Sequence, residues 1–142
     1  MLKSTFVFLV SLAIAFSSCN DGTYQKPDDA LEAGTDFIRF ALDGDIAKAK
    51  TFVLPDADNE SLFKEAEKKI ASRSKQEKDE YRNASIRIKK TESLNDSTVL
   101  ISYSNSYKNK DNEIKLVKTN GEWWVDFKYT FTGDNALDPL PE

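Results

Sequence analysis

The residues of this chain best suited to acid–base chemistry gather near its end: Asp126, with Tyr103, Tyr107 and Tyr129 from the segments before and after it. A carboxylate whose pKa is raised by burial can take a proton beside a phenol that stabilises the resulting enolate, which is isomerase-type chemistry. Strand alternation would place Asp126 on the face opposite Trp123 and Tyr129. The expectation is therefore an Asp126 that faces solvent and pairs with a lysine, and no catalytic residue is assigned. Other chemistries are closed by composition. The 142 residues contain no histidine and one cysteine, so zinc sites built on Cys and His, and triads with a histidine base, lack their parts. No metal ligand set and no cofactor is expected.

Cys19 is that single cysteine, and the residues before it decide its role. Lys3 is followed by the uncharged run FVFLVSLAIAF, residues 6–16, and then by Ser17 and Ser18, the layout of a secretory signal peptide. The run is about half the ~20 residues that a bilayer span requires. FSSC resembles the lipobox of bacterial lipoproteins, with Phe16 departing from the usual small aliphatic residue. That resemblance implies a diacylglyceryl group on Cys19, which becomes the first residue and holds the chain on a lipid bilayer. Plain secretion with a free thiol and a retained membrane helix are the alternatives.

Residues 1–18 are thus read as a lipoprotein signal peptide, 19–27 as a lipidated tether, 28–132 as the folded domain and 133–142 as a polar tail. Without residues 1–18 the chain has 124 residues, enough for one domain with its own core. Its 19 basic and 24 acidic side chains are dispersed, a balance that argues against nucleic-acid binding. The expected location is the cell envelope of a bacterium, lipid-anchored in the outer membrane on its periplasmic or surface face.

The elements that must position any site follow from periodicity. Ala30, Ala33, Gly34, Phe37, Ile38 and Ala41 recur at helical spacing, with Asp29 and Glu32 in capping positions and Gly44 as the stop. A second helix is expected from Asp45, burying Ile46, Ala49, Phe52 and Val53. A third starts near Ser61 and becomes wholly polar after Ala71, where it is expected to fray. From Ala84 the period changes to two, predicting strands over 84–89, 99–107, 113–119 and 122–131, the last two joined by Asn120-Gly121. The predicted fold is α+β, three helices on one face of a curved four-stranded antiparallel meander.

With those elements in place, "LDGDIAKAK" and "NGEWWVDFKY" resemble small bacterial lipoproteins of unknown function with the nuclear transport factor 2-like, or cystatin-like, cone. The resemblance covers residues 27–131 and implies a fold. Folds of this kind host enzymes and binding modules alike.

Three further sets of residues are candidates for recognition. Five aromatics fall between Trp123 and Phe131; Trp123, Phe127, Tyr129 and Phe131 are expected in the core, and Trp124 among polar neighbours as a platform for a sugar, peptide or partner protein. Tyr103 and Tyr107 are the accompanying ligand-binding candidates. Ser102, Ser104 and Ser106 form a stripe expected to be solvated, or else to line a shallow polar groove. Asp96-Ser97-Thr98 resembles the short acceptor of periplasmic O-glycosylation and marks Ser97. The functional expectation is a non-enzymatic binding or assembly module for a small molecule, glycan or protein. The alternative is a cofactor-free isomerase or hydrolase using a pocket carboxylate and tyrosine.

Overall fold

The computed structural model describes residues 24–132; the signal-like run, Cys19 and the C-terminal tail lie outside them. The domain is α+β: helices α1 (Ala30–Asp43), α2 (Ile46–Lys50), α3 (Ala57–Ser72) and α4 (Lys75–Asn83) precede strands β1 (Ile86–Asn95), β2 (Thr98–Asn105), β3 (Asp111–Thr119) and β4 (Glu122–Val125), and a short helix α5 (Phe127–Thr132) follows. The strands form one open antiparallel sheet in the order β1-β2-β3-β4.

Local chemistry explains the boundaries. Asp29 accepts the Glu32 N–H at the start of α1, and Gly44, in the left-handed region at φ 76°, ends it by donating to Ala41 and Phe40. Asp45 caps α2 through the Lys48 N–H. Asn120 and Gly121 both have positive φ, 54° and 80°, and Thr119 pairs with Glu122, so the predicted two-residue hairpin turn is formed.

Two expectations are overturned. The third helix starts earlier, with Asp56 as cap, and does not fray after Ala71. It stops at Ser72, and Ser74 with Glu77 forms a reciprocal capping box that starts α4. The last strand is also shorter than its alternation implies, ending at Val125. Asp126 makes a final backbone bond to Lys115, after which the Lys128 N–H turns to the Asn59 side chain, 2.7 Å, and α5 begins.

One sheet face is the core. Val99, Ile101 and Tyr103 of β2, Ile114 and Leu116 of β3, and Trp123 and Val125 of β4 pack beneath Phe37 and Ile38 of α1 and Phe63 of α3. Phe127 reaches this core from a helix rather than a strand, edge-on to Phe63 at 5.3 Å and to Phe37 at 6.3 Å. The outer edge of β4 is sealed by the chain after α2, where Val125 accepts from Leu54 and donates to Phe52. Among the described residues no helix is long and apolar enough to cross a membrane.

Candidate functional site

The acid and phenol set is not brought together. Asp126 pairs with Lys115 at 3.2 Å, as expected, but its side chain is only 16% exposed, and its other oxygen accepts from Asn59 at 3.4 Å. Tyr129 donates instead to Glu113, 2.7 Å, whose second oxygen accepts from Ser102, 2.8 Å. Hydrogen bonding to that carboxylate, with some burial, pushes the Tyr129 phenol up to about 12. The phenol therefore keeps its proton at neutral pH and the carboxylate is already engaged. Tyr103 lies in the core, where burial pushes its phenol up. Tyr107 falls beyond the end of β2 and packs edge-on against Tyr81 of α4 at 4.8 Å.

Trp124 is half-buried rather than exposed, on the sheet face opposite Tyr103. One side of its ring is taken by the chain's own Lys26, whose ammonium lies 3.1 Å from the ring centroid, pairs with Glu122 at 3.0 Å and donates to the Thr51 carbonyl at 3.4 Å. A groove of about 530 Å³ surrounds this cluster. Ser97 is exposed in the β1–β2 turn, its hydroxyl 3.1 Å from Asn95. Ser104 corrects the solvated-stripe expectation, being only 3% exposed.

A second concavity, of about 300 Å³, lies where the end of α1 meets α3 and α4. Its position follows from the two helix stops: Gly44 turns the chain away after α1, and the break at Arg73 folds α4 back towards it. Arg39 holds the pieces together by donating to the carbonyls of Ala84, Tyr81 and Arg82 at 2.7, 3.3 and 3.1 Å, while pairing with Asp43 at 2.9 Å. The floor is apolar, with Leu42 and Ile70 buried beside Ile46. Over it stands Arg73, its guanidinium 4.1 Å from the Tyr81 ring centroid. Burial lowers the Arg73 pKa, the direction expected when a cation loses water. Lys78 and Arg82 add positive charge at the rim, against Asp43 and Glu67.

No family model and no curated protein matches the chain.

A hydrocarbon floor beneath a guanidinium that is stacked on Tyr81 and already acted on by the Glu77 carboxylate suits a small molecule with an apolar body and one carboxylate, sulfonate or phosphate head that shares Arg73. Among the described residues no three His, Cys, Asp or Glu side chains are grouped to hold a metal ion. Sequence reasoning missed this concavity because it took the segment after Ala71 as a polar extension. The signal was present in S-x-x-E at Ser74–Glu77, with Tyr81 the lone large aromatic of an otherwise polar helix.

Proposed function

We propose that this chain is a membrane-anchored lipoprotein of the bacterial cell envelope, and that its domain is a non-enzymatic binding module with the cystatin-like, nuclear transport factor 2-like cone. The apolar run ending at Ser17-Ser18-Cys19 supports the anchor. Helices followed by an open four-stranded antiparallel sheet support the cone. The observation that carries the binding reading is the pocket between α1, α3 and α4, where Arg73 stacks on Tyr81 above Leu42 and Ile70. Its ligand is a small amphiphilic anion.

Fluorescence titration with anilinonaphthalenesulfonate, competed by octanoate, tests the binding site. A charge-assisted hydrogen bond contributes about 1.5–3 kcal/mol, so Arg73→Gln should weaken octanoate by roughly tenfold or more. Octanol, with the same chain and no charge, should compete poorly. Equal competition by octanol and octanoate, or an unchanged Arg73→Gln variant with native circular dichroism, would remove this site. The anchor has its own test: Cys19→Ala should remain an unprocessed precursor that takes up no labelled fatty acid, and normal labelling of that variant would end the lipoprotein reading.

A further inference from the structure

The residues just after Cys19 are not all free linker. Tyr24 packs edge-on against Phe40 at 5.1 Å and lies 5.8 Å from Phe52, and its phenol donates to Asp36 of α1. Lys26 is held by Trp124, Glu122 and the Thr51 carbonyl, and its side chain is only 14% exposed. Trp123 donates its indole N–H to the Asp28 carbonyl, 2.9 Å. From Tyr24 onward the chain belongs to the rigid domain. Only Asn20, Asp21, Gly22 and Thr23 separate it from Cys19.

That count limits orientation. Five Cα steps span at most about 18 Å when fully extended. A domain of this size is roughly 35 Å across. The leash is therefore shorter than the body it holds, and the domain cannot turn its docked side away from the anchor. We propose that the face around Tyr24, Thr51, Glu122 and Trp124 is the membrane-apposed face of the protein, its partner the headgroup layer of the bilayer carrying Cys19. The inference rests on the lipid anchor proposed above. The face carries charges of both signs, Lys26 beside Asp28 and Glu122, so it asks for no particular lipid charge. Attachment comes from the buried acyl chains rather than from this face.

The test uses the full acylated chain in phosphatidylcholine vesicles containing a lipid with a nitroxide on its headgroup. Thr51→Cys and Ser93→Cys, each carrying a bimane on the new thiol, report the docked face and the opposite edge of the sheet. Both should float with the vesicles, and the bimane at position 51 should be quenched several-fold more strongly than that at 93. A Gly/Ser insertion of about twenty residues after Asn20, with an r.m.s. span near 25 Å, should erase the difference and leave flotation unchanged. Equal quenching at the two positions in floated protein overturns the inference while leaving the anchor standing. A difference that survives the insertion overturns the short leash as the cause of the orientation, since the surface itself would then hold the membrane. Failure to float, with no lipid on Cys19, removes the anchor and the inference together.

Discussion

Gly34 packs α1 directly on the sheet: a Cβ added there would lie 2.6 Å from Ile101 Cδ1, 3.1 Å from Leu116 Cδ1 and 3.2 Å from Ile114 Cδ1. All three are ends of side chains that can shift slightly. Gly34→Ala should stay within about 1 kcal/mol of wild type, because a helix-propensity gain of that size opposes the crowding. Gly34→Leu has no such room and should lose about 3 kcal/mol in urea denaturation, the upper range of overpacking. A Leu variant as stable as wild type would show that α1 is not held this close. Lys26 invites a different substitution. Lys26→Ala should uncover the Trp124 ring, increasing iodide quenching and shifting emission to the red, while Lys26→Arg should keep the ring covered. No change with alanine would mean that Lys26 does not shield the indole. The sequence made Gly34 readable because its helix face is local. Trp124 was harder, because the lysine covering it comes from far earlier in the chain and no pattern around Trp124 announces it.

Elements were readable where their caps and periods are their own. The first helix, its glycine stop and the Asn120-Gly121 hairpin depend on neighbouring residues, and each forms as its pattern predicts. The segment after Val125 shows the opposite case. Its alternation is that of a strand, yet Phe127 can enter the core from either geometry, and a distant side chain decides between them. Asn59 of α3 is fully buried; it accepts the Lys128 N–H at 2.7 Å and donates to Asp56 at 2.7 Å. Asn59→Ala leaves buried groups unmatched and should cost about 1–3 kcal/mol. Asn59→Asp should be worse at neutral pH, since it puts a third carboxylate beside Asp56 and Asp126. Equal stability of the two variants would contradict this clamp. The first strand shows how an edge is protected. β1 is exposed along nearly all its length, with Ile88 and Leu94 on the surface, and its pairing with β2 is broken by register shifts at Ile88/Lys90 and Ser93/Asn95. Bulges and lysines discourage pairing between sheet edges. Deleting Lys89 together with Lys90→Thr should straighten this edge and increase concentration-dependent self-association over wild type in sedimentation velocity; a variant that sediments like wild type would show that the lysine and bulge are not what keep the edge apart.

For the molecule as a whole, the titrating groups set a stability profile with two limbs and a flat centre. Asp56, capping α3, is held below its ordinary 3.8 mainly by the Asn59 backbone N–H, and Glu77 below its ordinary 4.5 mainly by the Ser74 N–H. Lys48 lowers Asp45 and Lys75 lowers Asp79 by hydrogen bonds from their ammonium groups. A carboxyl whose folded pKa is depressed stabilises the fold above its unfolded pKa, and that contribution is lost as pH falls through the folded value. The acid limb should therefore begin near pH 4 and loosen the helix starts first. Three phenols act on the other side, together with the exposed Lys90, raised by its hydrogen bond to Glu92. Burial, and then the Asp36 carboxylate, raise Tyr24; burial raises Tyr103; the Glu113 carboxylate leads in raising Tyr129 to about 12. A group whose folded pKa lies above its unfolded 10.0 contributes fully below pH 10 and loses that contribution as pH rises towards the folded value. Between the limbs there is no histidine, and the single cysteine, Cys19, lies outside the described residues. Thermal melting followed by circular dichroism should thus give a midpoint that is level from about pH 6 to 9 and falls on both sides. Tyr24→Phe separates the contributions at high pH, because it keeps the ring against Phe40 and removes one titrating hydroxyl. Its alkaline limb should be shallower than that of wild type, with Tyr103 and Tyr129 still titrating, and an unchanged limb would mean that the docked Tyr24 does not contribute to the alkaline loss.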